Sequence, residues 1–428
     1  MTTIGGFFSN ICRKVKFSDP AKCKWYSTQT MKNGPLEGLR VLDLTRVLAG
    51  PYCSMLFGDL GAEVIKVERP GQGDDTRSWG PPFIGNESAY FFSINRNKKS
   101  VALNIKKAEG QDLVKKLAQK SDVLLENYIP GKLSELGLGY SQIKEVAPKL
   151  IYCSITGYGQ SGPYSKRAGY DVMVEGIGGL AHITGPQDGE PCKVGVAITD
   201  LSTGLYAMGS VLAALIHRQK TGRGQYIDCN LLSTQVASLV NISSNYLNAG
   251  IEAKRYGTSH ASIVPYQAFK TKNGHFMVGA GNDHQFKLLC QKLHLDDLAS
   301  HPDFISNRQR VQNRVELVSI LTREFSRKST EEWLLVFESS GIPFGAINNM
   351  QQVFSDPQVL HNNLIQEMDH PTAGKIRVAG PAVKYSESTT VLQYPPPLLG
   401  EHTDSVLQEL LGLSTDELGT LRDKDIVQ

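Results

Sequence analysis

No stretch of the 428-residue chain approaches the ~20 consecutive apolar residues that would cross a bilayer as a helix, so nothing in it reads as a membrane anchor. Seven cysteines, Cys12, Cys23, Cys53, Cys153, Cys192, Cys229 and Cys290, contain no CxxC pair and no metal-ligand rhythm. This argues against a zinc site or disulfide framework and suits reduced, mostly buried thiols of an intracellular compartment. The patterns GxxxxGK[ST] and HExxH are both missing, so neither a triphosphate-cradling loop nor a metalloprotease helix is indicated. No histidine precedes His182, which leaves the chain before it without an imidazole for acid–base work. Internal repeats and low-complexity tracts are lacking too.

Charge of one sign is scarce outside the first 33 residues. Those hold Arg13, Lys14, Lys16, Lys22, Lys24 and Lys32 against Asp19 alone, while the body carries 39 basic and 41 acidic side chains. A near-neutral body has no broad field for nucleic acid, so any anion site must be a local cluster. The basic, hydroxyl-bearing, acid-poor leader reads as a mitochondrial transit peptide, which predicts a matrix protein; a disordered cytosolic tail is the alternative. With 40% hydrophobic residues, a chain this long builds two domains.

Short β-rich runs over Leu39–Thr45, Ala62–Glu68, Ser100–Asn104, Asp122–Glu126 and Leu150–Thr156 alternate with helical stretches such as Ala108–Gln119. The alternation predicts an α/β fold with a parallel, helix-covered sheet. Ligands on such sheets sit beyond the carboxyl ends of the strands, where Arg46, Arg69, Asn127 and Gly157 fall. A helix over Leu201–Gln219 stops at a glycine-containing turn, and a strand at Tyr226–Leu231 and a helix at Val236–Leu247 follow. Ala268–Gly279 reads as a hairpin about Asn273-Gly274, with helices at Asp283–Leu293 and Arg308–Phe325. Strand-like pieces at Lys375–Val378 and Ala382–Tyr385 precede Pro395-Pro396-Pro397 and a last helix. The expected organisation is a leader (1–33), a large α/β domain (34–230), a linker and small domain (231–340), and a C-terminal part returning to the large domain (341–428).

Three features bear on chemistry. Gly157-Tyr158-Gly159-Gln160-Ser161-Gly162 is a literal GxGxxG, but Pro163 follows it and no strand ending in an acidic residue appears ~20 residues on, so a dinucleotide fingerprint is not supported. Lys66, Arg69, Arg77, Arg96, Lys98, Lys99 and Lys106 cluster after the early strands; they form either a solvated surface or a site for a ligand with several phosphates. Asp200 stands at the N-terminal edge of the long helix, where an aspartate is ordinarily a cap. There the helix dipole and free N–H groups are expected to keep it ionised, as a nucleophilic carboxylate must be.

The segments Leu42-Asp43-Leu44-Thr45-Arg46-Val47-Leu48-Ala49-Gly50-Pro51, Gly61-Ala62-Glu63-Val64-Ile65-Lys66-Val67-Glu68, Glu126-Asn127-Tyr128-Ile129-Pro130-Gly131, Thr221-Gly222-Arg223-Gly224-Gln225 and Leu399-Gly400-Glu401-His402-Thr403 recur in order from about Pro35 to the C-terminus. As a set they resemble the class III CoA-transferase family. The resemblance implies a Rossmann-like large domain with a smaller α+β domain, an interlocked homodimer, and transfer of coenzyme A between carboxylic acids without metal or permanently bound cofactor. It places the nucleophile on Asp200 and coenzyme contacts on Val47, Leu48, Arg69, Leu103, Lys106, Asn127, Tyr128 and Tyr170. Succinyl-CoA and glutarate, or a related dicarboxylate, are the substrates implied, with Arg46, Arg167 and Arg255 as candidates for the distal carboxylate.

Departures from the pattern lie at Glu135 and Ala168, where formyl-CoA transferases of the family carry basic residues, and at Gly257-Thr258-Ser259-His260-Ala261, which replaces a glycine-run loop. The family also holds α-methylacyl-CoA racemases, whose catalytic histidine corresponds to Tyr170, a poor base at neutral pH; racemisation is therefore disfavoured. A catalytically silent acyl-CoA-binding protein is the remaining alternative.

Overall fold

The computed structural model describes residues 34–428; the leader, with Cys12 and Cys23, lies outside the described residues. Six strands form the central sheet: β1 (Arg40–Asp43), β2 (Glu63–Glu68), β3 (Lys98–Ala102), β4 (Val123–Glu126), β5 (Ile151–Thr156) and β6 (Tyr226–Asn230). Their spatial order is β3-β2-β1-β4-β5-β6 and every neighbouring pair is parallel. Strands covered by helices on both faces read as unbroken apolar runs rather than alternating ones, and Val41, Leu42, Val64, Ile65, Leu124 and Ile151 are each at most 1% exposed.

Helices α1 (Ala49–Asp59), α2 (Ala108–Gln119), α3 (Asp171–Ile177), α4 (Ile198–Thr221), α5 (Leu231–Ala237) and α6 (Val240–Ala249) accompany the sheet. Ala49, Cys53, Phe57, Ala207, Val211 and Ala214 of α1 and α4 cover one face, and Leu113, Val114 and Leu117 of α2 cover the other. The crossing of α1 and α4 is close because position 204 is glycine: a Cβ there would come within 2.8 Å of the Ala49 carbonyl oxygen. The helix expected over Leu201–Gln219 runs to 24 residues and ends at Gly222, whose φ of +70° is open to glycine at little cost. Although the sequence holds no unbroken apolar run of bilayer length, α4 is long and apolar enough to pass for a membrane span by length and composition. It packs on the sheet and α1, and its first turn carries the buried Asp200. The helix expected over Val236–Leu247 is two helices, parted near Val240 at φ +44°.

A separate core gathers Phe269, Phe276, Phe286, Leu321, Phe325, Trp333 and Phe337. It lies between an antiparallel sheet of residues Tyr266–Lys270, His275–Gly279 and Phe344–Ala346 and helices that include Asp283–Leu293 and Arg314–Phe325. The hairpin of Ile365–His370 and Gly374–Ala379 sets Met368, Ile376 and Val378 against Phe91 and Phe92; residues 382–385, read from sequence as a strand, are irregular. The final helices return to the parallel sheet: Val406, Leu407 and Leu418 join the core of Leu42, Ile65 and Val101. The backbone N–H of His402 donates to Ser100 O at 2.9 Å.

Five cysteines are free among the described residues; all but Cys192 are buried.

Candidate active site

The strand order reverses between β1 and β4, which opens a crevice beyond their carboxyl ends, the usual seat of ligands in open α/β sheets. A cavity of about 230 Å³ lies there, and Val47, Leu48, Asn127, Tyr128, Tyr170 and Asp200 all line it. Arg46, Gly157 and Arg167 complete its polar wall.

The crevice is held by side chains that copy strand pairing. Asn127 accepts the backbone N–H of Arg46 through Oδ1 at 3.0 Å and donates Nδ2 to Arg46 O at 2.7 Å, extending the β1–β4 contact beyond the last ladder bonds. The next residue, Val47, has φ +72°, a conformation that a β-branched residue adopts only under constraint. Its N–H donates to Asp74 Oδ1 at 3.2 Å. Asp74 is anchored in turn by the fully buried Lys66, 2.8 Å away; burial opposes its charge, but Lys66 and the Thr76 bonds hold its carboxyl down to about 2. The strained turn leads into α1, whose N-cap Leu48 supplies no side-chain bond, so the opening of that helix faces the cavity without a side-chain cap.

Asp200 is 9% exposed and lies in the first turn of α4, whose N-cap is Ala197. It is therefore not the cap. Asp171, at the start of α3, takes that part: its Oδ1 accepts the backbone N–H groups of Thr199 at 2.8 Å and Asp200 at 3.1 Å. The expectation that Asp200 stays comfortably ionised is thus corrected. The N–H groups that would favour its charge are given to another carboxylate, and burial together with Asp171 pushes its pKa up to about 7. Tyr90, which sequence reasoning missed, stands within electrostatic reach of Asp200 and Asp171; burial and those carboxylates raise its phenol to about 12. It lies in a helix remote in sequence, and no motif marks it.

The basic cluster divides sharply. Lys66, Arg77, Arg96 and Lys98 form ion pairs with Asp74, Glu68, Asp59 and Asp43, all with side chains at most 10% exposed. Lys99 pairs with Glu63 at 2.6 Å. These five hold the fold and are spent before a ligand arrives. Arg69 and Lys106 are exposed just past β2 and β3 and make no ion pair among the described residues. Leu103, expected at the ligand, is 1% exposed within the core of Val101 and Val427, so its side chain cannot serve as a contact. Glu135 is tied to Lys132 at 2.8 Å.

Of the arginines considered for a distal carboxylate, Arg46 and Arg167 line the cavity, whereas Arg255 binds the carbonyls of Gly189 and His182 outside its lining. Arg46 reaches Asp75 at 2.9 Å, and its buried Nε has no partner among the described residues. The loop at Gly257–Ala261 likewise stays outside that lining; His260 stacks on Tyr266. The GxGxxG segment forms an irregular loop with no helix at its end, and Gly157 is needed because a Cβ there would meet Gly169 Cα at 2.8 Å. Among the described residues no cluster of three or more His, Cys, Asp or Glu side chains is arranged to hold a metal.

Residues 36–403 match the family model described as CoA-transferase family III. The chain is 58% identical over 393 residues to the human succinyl-CoA:glutarate CoA-transferase, covering 92% of this chain and 90% of that one. It is 41% identical over 382 residues to the succinate–glutarate CoA-transferase of Agrobacterium fabrum, covering 88% and 96%. Among solved structures, a CAIB/BAIF family protein from Brucella suis superposes with a TM-score of 0.80 at 40% identity, covering 89% of this chain and all of that one.

Proposed function

Since the chain belongs to CoA-transferase family III, we propose that it moves coenzyme A from succinyl-CoA to glutarate, with Asp200 as the temporary acyl carrier. The observation that carries this reading is the position of Asp200: a largely buried carboxyl on the wall of the crevice cavity, which the strained turn at Val47 also lines.

In the first half-reaction an Asp200 oxygen attacks the thioester carbonyl, the carbon–sulfur bond breaks, and a mixed anhydride and coenzyme A thiolate result. The thiolate attacks the aspartyl carbonyl of that anhydride, giving an aspartyl-CoA thioester and releasing succinate. Glutarate attacks this thioester to form a second anhydride, and the thiolate attacks its glutaryl carbonyl, which releases glutaryl-CoA and restores the Asp200 carboxylate. One thioester replaces another, so no net proton is consumed. Each step passes through an oxyanion, and the uncapped N-terminus of α1 is the donor group best placed for it.

Coenzyme phosphates are assigned to Arg69 and Lys106, the cationic side chains of the early cluster left without an ion pair among the described residues. Val47, Leu48, Asn127, Tyr128 and Tyr170 contribute to the channel for the thioester arm. Arg46 and Arg167 are left to meet the distal carboxylate.

A homodimer accounts for the exposed apolar surface of Leu205, Tyr206 and Ile216 on α4 and Val240, Tyr246 and Leu247 on α6, each more than half exposed. The basic, acid-poor composition of residues 1–33 supports delivery to the mitochondrion.

Incubation with succinyl-CoA followed by hydroxylamine, then peptide mass spectrometry, is expected to find Asp200 modified. Binding of the thioester with no modified peptide would refute the covalent route, and solvent exchange of the α-hydrogen of a branched acyl-CoA would point to a racemase instead.

A further inference from the structure

Helix α3 carries two acidic side chains one turn apart, Asp171 and Glu175, on the face turned toward the segment that enters α4. Asp171 Oδ1 binds the N–H groups of Thr199 and Asp200. Glu175 Oε2 accepts the backbone N–H of Val194 at 3.0 Å. Two carboxyls of one short helix therefore grip the entry segment at both ends, with the proposed nucleophile at the far end.

Glu175 is fully buried, and its Oε1 receives no donor among the described residues. The Asp171 carboxyl lies one helical turn from Glu175, and burial together with that neighbour raises the Glu175 pKa. Two ionised carboxylates cannot share such a site away from water, because both would repel and neither could donate. One proton between them removes the repulsion and gives Oε1 a hydrogen to share. Asp171 Oδ1 already accepts two N–H groups while Glu175 Oε1 accepts none, so the proton is placed on Glu175.

We propose that Glu175 is a positioning residue for the reaction: as a neutral acid it donates to Asp171, and the pair acts as a single monoanion that fixes the N–H groups of Thr199 and Asp200. The groups facing the pair are Lys193, which favours the ionised Glu175, Asp200, the next carboxyl along from Asp171, and the Tyr90 phenol within electrostatic reach of Asp171. The array Glu175, Asp171, Asp200 thus holds a proton at its buried end and leaves the end that faces substrate free to ionise. The proposal rests on the reading of Asp200 as the acyl carrier, but the proton can be seen without turnover.

Glutamine at 175 keeps both functions, an oxygen for Val194 and a permanent N–H donor for Asp171, whereas leucine keeps only the volume. Glu175→Gln should retain kcat to within about threefold, while Glu175→Leu should lower kcat about tenfold or more with the KM for succinyl-CoA little changed, since small misplacements of a reacting group are costly. Equal activity of the two variants would overturn the proposal. In the full chain without substrate at neutral pH, the infrared difference between wild type and Glu175→Gln should show the loss of one carboxylic acid C=O band. Loss of a carboxylate band instead would place the charge on Glu175 and overturn the proposal even if the leucine variant fails to fold. Were Asp200→Asn still fully active, the covalent reading would fall while the infrared result stood.

Discussion

Asp171 Oδ1 lies 3.1 Å from the backbone nitrogen of Asp200, so the cap of helix α4 is a carboxylate borrowed from another helix, set beside the carboxyl proposed to react. An aspartate in a first helical turn ordinarily has a low pKa because free N–H groups favour its charge. Here burial and Asp171 raise it to about 7. The ionised form that the proposed attack requires is therefore lost as pH falls through about 7. The pH profile of kcat/KM should show an acid limb near there, and Asp171→Asn, which removes the like charge but keeps an accepting oxygen, should move that limb to lower pH. An unmoved limb would mean that Asp171 acts only as a cap.

The same shift gives a prediction about stability. A carboxyl with a folded pKa above its unfolded value is ionised at the expense of the fold, so its destabilising effect is absent below the unfolded value near 3.8 and fully present above about 7. Asp200→Asn should melt several degrees above wild type at pH 8 and show little difference at pH 4, while transferring coenzyme A at least about a thousandfold more slowly. Thermal melts at the two pH values and a transfer assay check both parts.

Much of the scaffold was legible in the sequence because buried parallel strands announce themselves as apolar runs with helical stretches between them. All six strands of the sheet fall within two residues of their expected places at both ends. Ligand contacts were harder, since a sequence displays charges without their partners. Lys98 looked like a surface cation beside Lys99, yet it is fully buried against Asp43, 55 residues earlier in the chain. Arg77 and Arg96 were misread for the same reason. The pairing of Asp171 with the start of α4 spans 29 residues of irregular loop and short helix, where no periodicity carries information. A residue just past a strand end can turn its side chain either to the crevice or to the core, and the Leu103 side chain takes the core.

The two-way bond between the Asn127 side chain and the Arg46 backbone is the brace on which the Val47 turn depends. Asn127→Ala leaves Arg46 with an unmet N–H and C=O and lets Val47 relax from its left-handed conformation. The expected result is a loss of about 1–3 kcal/mol in stability, read by urea unfolding, with a larger fall in kcat/KM for the thioester than stability alone explains at assay temperature. Asn127→Asp keeps one accepting oxygen for the Arg46 N–H and should restore part of the activity.

Arg69 and Lys106 are exposed and make no ion pair among the described residues, whereas Arg77 is bound to Glu68 at 2.7 Å and stacks on Phe91. Removing a cation that waits for a phosphate should weaken substrate binding and leave the fold intact. Removing one that neutralises a buried carboxylate should do the reverse. Arg69→Ala and Lys106→Ala are therefore expected to raise the KM for succinyl-CoA about tenfold with kcat and melting temperature unchanged. Arg77→Ala should instead lower stability by about 3 kcal/mol, because Glu68 would be left buried and charged. Repeating the kinetics with the thioester of dephospho-coenzyme A separates the two exposed cations: the one that meets the ribose phosphate should lose its penalty, and the one that meets the diphosphate should keep it. If neither penalty depends on the ribose phosphate and both vanish at high salt, the two side chains merely steer the ligand, and its phosphates are held elsewhere.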